Sequence, residues 1–273
     1  MKKIAVIGLG IIGGSICAAL SKAGISVDGY DVNENTVALA RQKGYICAKA
    51  ENIEEYDVVF LAIPPQAAIS ALQTLSFKDG ALVSDICGVK LAIENAVYEK
   101  KRNYRYVGLH PMAGKETSGL QSASSELFCL ANLIITVADE TDEKAVLEIQ
   151  EYAKAMRFGK IILCSAEEHD RKIALTSQLP HIVSNAFVKS EQVKNCEGFT
   201  GGSFQDMTRI AGVDEKIWTQ LYTYNRDYAL EELNGLITRL EKYRDALEKG
   251  DEQALSDCLK EGRLIREKVK RGK

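Results

Sequence analysis

The chain lacks the marks of a secreted or metal-stapled protein. Its seven cysteines, at 17, 47, 87, 129, 164, 196 and 258, are odd in number, scattered and without a C-x-x-C pair. That spacing excludes a disulfide scaffold and fits thiols kept reduced in a cytosol as small buried apolar groups. Histidine is scarcer, limited to His110, His169 and His181, and none has a cysteine pair beside it at ligand spacing, so no metal site is expected. Positive charge is not in excess. The 35 Lys+Arg against 38 Asp+Glu leave a net −3 and no electrostatic pull toward nucleic acid or membrane. Long apolar runs are missing as well. The nearest, Ile4 to Leu20, is broken by Gly8, Gly10, Gly13 and Gly14 and is followed by no A-x-A-like cleavage site. A membrane-spanning helix needs about 20 apolar residues. A cytoplasmic protein is the expectation.

What is present is globular: 273 residues, 46% hydrophobic and 27% charged. At roughly 150 residues per domain that is one large domain or two of ordinary size. The strand-like Ile4-Ala5-Val6-Ile7 runs into Gly8-Leu9-Gly10-Ile11-Ile12-Gly13, and a helix rich in small residues follows to Ala23. The next strand, Ser26 to Tyr30, ends in Asp31, 18 residues after Gly13. In this arrangement the first glycine permits the turn, the second lets the backbone approach a pyrophosphate, and the third lets helix and strand pack closely. The helix N-terminus offers its free N–H groups to phosphate, and the acid reaches a ribose hydroxyl. Asp31, followed by Val32, Asn33 and Glu34 with no adjacent arginine, favours NAD over NADP.

Strand and helix then alternate: a strand from Asp57 to Ile63 stopped by Pro64-Pro65, a helix from Gln66 to Leu75, and a strand from Ala81 to Asp85. A helix from Lys90 to Lys100 and a strand from Tyr106 to Leu109 continue the series. This is the pattern of an α/β, Rossmann-type, doubly wound and mostly parallel sheet, whose ligands sit at the carboxyl ends of the strands. The candidate cofactor contacts are therefore Gly8, Leu9, Gly10, Ile11, Ile12, Gly13 and Asp31, with Ile63 and Pro64 on the same rim. Two more strands, 132–138 and 160–164, flank a helix at 142–156. After Ser165-Ala166-Glu167-Glu168, a capping box, only helices are expected. A division into an NAD-binding domain, 1–165, and an all-helical substrate-binding and dimerisation domain, 166–273, follows. Leu233, Leu236, Leu240, Tyr243 and Leu247 recur at spacings of 3, 4, 3 and 4. That stripe is either a core face or a helix–helix subunit interface.

The chemical candidates cluster in short motifs. His110 ends a sheet strand in Gly108-Leu109-His110-Pro111-Met112-Ala113-Gly114, where it is either a packing residue or a base. His181 sits in Leu179-Pro180-His181. His169, in the charged turn Glu167 to Arg171, is expected at the surface. Arg209 closes the loop Gly201-Gly202-Ser203-Phe204-Gln205-Asp206-Met207-Thr208-Arg209 and is either a solvated charge or a bidentate anchor for a carboxylate.

These segments, in this order along the chain and with the single tryptophan, Trp218, resemble the prephenate/arogenate dehydrogenase family of tyrosine biosynthesis. The resemblance implies an NAD-dependent enzyme, a dimer, that oxidises and decarboxylates prephenate or arogenate. His110 would then take the ring hydroxyl proton, and Arg209 would bind the ring carboxylate. His181 would line the pocket with Asp206 as orienting partner. Lys115 and Glu116 would cover the entrance, Trp218 would lie near the substrate side chain, and Gln178 stands where some relatives have a histidine. One position departs from the pattern. Gly88, in Asp85-Ile86-Cys87-Gly88-Val89-Lys90, replaces a serine that in many members bonds the histidine or the hydroxyl. Ser84 or a water is the expected substitute, unless the bond is dispensable. The competing readings are arogenate as substrate, another hydroxyacid dehydrogenase, and a nicotinamide-sensing protein that has lost the chemistry. No appended tyrosine-sensing module is expected after the stripe, because 26 residues remain and a βαβ unit needs more than about 30.

Overall fold

The computed structural model describes residues 2–115 and 117–271. Five strands, β1 (Ile4–Ile7), β2 (Asp28–Tyr30), β3 (Val58–Leu61), β4 (Leu82–Asp85) and β5 (Arg105–Tyr106), form a parallel sheet in the order β2-β1-β3-β4-β5. The helices α1 (Ile11–Lys22), α2 (Glu34–Gln42), α3 (Pro65–Thr74) and α4 (Leu91–Tyr98) connect them in sequence. The central strand Val58-Val59-Phe60-Leu61 is apolar throughout because both of its faces are covered. Phe60 packs with Val6 and Leu82 in one core, and Val59 and Leu61 with Ala5 and Val83 in another.

The expected strand from Tyr106 to Leu109 is divided between two sheets. Val107 N–H still donates to Val83 O at 3.2 Å, and the chain then enters β6 (Gly108–Pro111). There it pairs antiparallel with β7 (Asn132–Thr136), which pairs parallel with β8 (Lys160–Cys164) to make a second sheet of three strands. Between β7 and β8 runs α5 (Glu143–Ala155), capped by Asp142, which accepts from Lys144 and Ala145 N–H. Gly108 sits at the change of sheet, where a Cβ would press on Thr136 Oγ1 and Tyr106 OH.

Strands end at Cys164, among the described residues, and the helices α6 (Ala166–Ile173), α7 (Leu179–Phe187), α8 (Gly202–Thr208) and α9 (Glu215–Tyr224) follow. Ser165 caps α6 through Glu168 N–H. By compactness the chain divides at a different point, into units Met1–Arg226 and Asp227–Lys273. The second unit consists of α10 (Arg226–Lys249) from its second residue and α11 (Glu252–Arg271), with the chain turned at Gly250, whose φ is +63°. Tyr243 OH donates to Cys258 O at 3.2 Å and ties the two helices together. No described helix is long and apolar enough to cross a membrane.

Candidate active site

The glycine loop is built as a close-packed turn. Gly8 has φ +91°, a left-handed conformation that favours glycine, and a Cβ there would overlap the Ala62 carbonyl. A Cβ on Gly13 would overlap the Gly8 carbonyl oxygen and crowd Ala62 Cβ, so α1 can approach the strand only through a glycine. Gly10 differs, because none of the described residues packed around it comes within 4 Å of its absent Cβ. The space above Gly10, at the N-terminus of α1, is open, as a phosphate cradle requires. Leu9 N–H donates to Asp31 Oδ2 and Asn33 N–H to Asp31 Oδ1, each at 2.9 Å, which fixes the carboxylate beside the loop. Each oxygen keeps a further lone pair for a ribose hydroxyl. The neighbouring cation, Lys49, is paired with Glu34 at 2.5 Å. Ile63 and Pro64 close the same rim: a Gly8 Cβ would meet Ile63 Cγ2, and Pro64 caps α3. The residues fit a dinucleotide.

A cavity of about 540 Å³ opens from this loop and is lined by Ile11, His110, Lys115, His181, Arg209 and Trp218 among others. That volume is within the roughly 300–1,000 Å³ usual for small-molecule sites. Its two walls have different origins. His110 comes from β6, opposite Ile134, with Pro111 after it. The other wall comes from the helices after β8. At the junction of α6 and α7 the helix widens to a π-turn, Ala174–Gln178, just before Pro180, which has no N–H to give. Ser177 O accepts from His181 Nδ1 at 2.8 Å, and the His181 ring lies on Trp218, with centroids 4.0 Å apart. Two bonds from α7 hold the loop that carries Arg209: Ser184 Oγ donates to Met207 O at 2.6 Å and Asn185 Nδ2 to Ala211 O at 3.1 Å.

His169 corrects the expectation of a surface residue. It is 1% exposed, with Nε2 2.8 Å from His110 Nδ1 and Nδ1 2.6 Å from Asp170 Oδ1. The signal was present in the sequence. Counted from the Ser165 cap, positions 166, 169, 170 and 173 share one helical face, and all four are buried. Burial, the neighbouring His169 and the Lys90 charge hold His110 well below its ordinary 6.5. Burial also lowers His169, while the bond to Asp170 works against it.

Three further expectations change. Asp206 is exposed on α8, and His181 is oriented by the Ser177 carbonyl instead. Gln178 is 1% exposed, and its amide is engaged: Nε2 donates to Leu221 O at 3.2 Å, and Oε1 accepts from Asn225 Nδ2 at 2.8 Å. Gln178 therefore joins α7 to α9 and does not line the cavity. Ser84 does not replace the missing serine, since its buried hydroxyl has no hydrogen-bond partner among the described residues. Gly88 does face the ring, because a Cβ there would lie 3.7 Å from His110 Nε2. The turn carrying it is locked by the fully buried pair Lys90 Nζ–Asp85 Oδ1, and Tyr106 OH donates to Asp85 Oδ2 at 2.6 Å. Lys115 is at the cavity, its Nζ 3.4 Å from Ser122 O; Glu116 lies outside the described residues.

Comparison with known proteins agrees with this geometry. Residues 16–176 match the family "Prephenate dehydrogenase, nucleotide-binding domain", and residues 165–261 match "Prephenate dehydrogenase, dimerization domain". The chain is 30% identical to prephenate dehydrogenase of Lactococcus lactis, over 98% of this chain and 77% of that one. It is also 30% identical to cyclohexadienyl dehydrogenase of Zymomonas mobilis, over 97% and 95%. The crystal structure of A. aeolicus prephenate dehydrogenase, in complex with hydroxyphenyl propionate and NAD+, superposes with a TM-score of 0.85 at 26% identity, covering 98% of both chains. The chain belongs to the prephenate dehydrogenase family.

Proposed function

We propose that the protein catalyses the NAD-dependent oxidative decarboxylation of prephenate to 4-hydroxyphenylpyruvate. The observation that carries this reading is a single cavity that holds His110 and Arg209 and reaches Ile11 at the dinucleotide loop. The cofactor is NAD, which supplies the hydride acceptor when bound in the Gly8–Gly13 and Asp31 cradle. His110 takes the ring hydroxyl proton at Nε2 as hydride departs from the carbon that bears the hydroxyl. The ring ketone is then conjugated to the carbon bearing the carboxylate, so carbon dioxide leaves and the ring becomes aromatic. Arg209 anchors the ring carboxylate, and a guanidinium suits the bidentate geometry. His181 and Trp218 line the pocket, and Lys115 flanks its entrance. A positioned base, an anchor and a dry wall suffice, because NAD carries the redox chemistry.

Arogenate is the second reading. It carries an ammonium where prephenate has a keto group, and Asp214 is the one carboxylate among the described lining residues. Asp214 Oδ1 already accepts from Lys216 and Ile217 N–H, both at 3.0 Å, as the cap of α9. That engagement takes one of its two oxygens, and no second carboxylate among the described lining residues is there to share an ammonium, which supports prephenate. The test is the appearance of reduced nicotinamide absorbance with prephenate and with arogenate, each with NAD and NADP. Prephenate with NAD is expected to be fastest, and faster turnover of arogenate would overturn the choice of substrate.

We further infer a homodimer. Leu230, Ile237, Leu240 and Leu247 on α10 are 45–65% exposed, as are Leu259, Ile265 and Val269 on α11 at 55–63%. An apolar face of that extent is covered in a stable protein. Light scattering is expected to give a particle of twice the 30.0 kDa chain mass, and a monomer at micromolar concentration would refute it.

A further inference from the structure

Two buried side chains on α6 stand behind His110 and take no part in the reaction as described above. Asp170 is fixed by the N-terminus of α4: its Oδ1 accepts from Lys90 N–H at 2.8 Å and its Oδ2 from Leu91 N–H at 3.0 Å. A carboxylate whose two oxygens both take backbone N–H groups acts as an acceptor, so the hydrogen in the 2.6 Å contact belongs to His169 Nδ1. A neutral imidazole carries one N–H. His169 Nε2 is therefore an acceptor, and His110 Nδ1 is the donor across the 2.8 Å contact. That leaves His110 Nε2 bare on the side of the ring facing Gly88.

We infer that His169 and Asp170 are positioning residues, which hold His110 in the tautomer with Nε2 bare toward the substrate and take over the positive charge once that nitrogen is protonated. The inference rests on His110 being the base of the proposed dehydrogenation. As the substrate O–H bond breaks, an N–H bond forms at His110 Nε2. The Nδ1 hydrogen of His110 then crosses to His169 Nε2. His110 becomes neutral again, and the cation is His169, bonded to the Asp170 carboxylate. One proton has entered, and it leaves by the reverse path through His110 Nε2 after product release.

The surroundings decide where that charge rests. Acting on the pair are Asp170 on α6, Asp85 at the end of β4 and Lys90 at the start of α4, while Glu94 on α4 acts on those three charges and not on the imidazoles. Tyr106 on β5 is bonded to Asp85. A cation kept on His110 stands near Lys90 and has no carboxylate in contact among the described residues. Moved to His169, it touches Asp170 directly. The arrangement answers a problem that His110 has alone: burial makes it a weak base, and the chain behind it lends the missing basicity.

With three histidines in the chain, the test is a resolved one. Imidazole nitrogen-15 spectra of the ligand-free wild-type protein are expected to show His110 protonated at Nδ1 and bare at Nε2, with the His110→Asn spectrum giving the assignment. Asp170→Asn removes the carboxylate charge and sets an amide N–H against the backbone N–H of Lys90 or Leu91, so it is expected to unsettle the His110 pattern, with part of the protein bare at Nδ1. Turnover should fall roughly 10²–10⁴-fold, as for loss of a correctly presented base, with KM changed far less. A bare Nδ1 on His110 in the wild type would overturn the inference, whether or not the variant folds. So would an Asp170→Asn protein of normal kcat, or one that loses kcat with the His110 spectrum unmoved. If the wild type oxidises neither prephenate nor arogenate, the proposed reaction fails, and the spectrum still decides the tautomer.

Discussion

The two walls of the cavity each present a histidine, and the two are held in opposite ways. On the sheet side the half-buried His110 meets through Nδ1 a second imidazole, which meets a carboxylate, and those two partners are buried. On the helical side His181 Nδ1 meets, among the described residues, the Ser177 carbonyl alone, four residues back along the chain. A carbonyl orients a ring without stabilising a full positive charge on it, whereas a carboxylate does both. The sheet wall is therefore equipped to move a proton. The helical wall, with Arg209 and Trp218, is equipped to hold a substrate.

Substituting the histidines in turn tests that division. His110→Asn is expected to lose roughly 10²–10⁴ in kcat while still binding substrate, the range for one general base. His181→Asn should lose about tenfold or less, because it removes only an orienting hydrogen bond and a ring contact. Equal losses in stopped-flow turnover would erase the distinction between the walls. Arg209→Ala should act on binding, weakening it by about 2–5 kcal/mol if the charge pair is desolvated, with kcat affected less. A KM for prephenate matching the wild type would remove Arg209 as the anchor.

The smallest expected effect is on stability. His110 and His169 are both lowered from 6.5 in the folded protein, so the unfolded chain binds protons near that pH that the folded chain does not. Their contribution is complete above about pH 6.5 and is lost as pH falls toward the lowered folded values. Thermal melts should therefore show Tm falling from pH 7 to pH 5, less steeply in His110→Asn. A wild-type Tm that is flat or rises over that interval would contradict a pair held neutral in the folded protein.

Legibility in the sequence followed the range of the interactions. The glycine loop, Asp31 and the alternation of strand and helix could be read directly, because a turn, a helix start and an acid at a strand end are fixed by near neighbours. So was the order of the motifs that carry His110, His181 and Arg209. The change of sheet at Val107 was hidden, since a strand leaving one ladder for another keeps the same extended, apolar pattern. Asp206 and Gln178 were misplaced for a related reason: a motif shows that a polar residue is near the site, but not whether its side chain turns to the cavity or to a neighbouring helix.

The sequence by itself determined the dinucleotide loop, the residue types the chemistry needs and the capping box at Ser165, all within a few turns of backbone. Only the tertiary structure decided that His169 backs His110, from 59 residues away, and that Asp170 joins it by capping α4. Those contacts depend on how α6 packs against the turn after β4. Packing is set by the sum of many buried surfaces, and no local pattern encodes it.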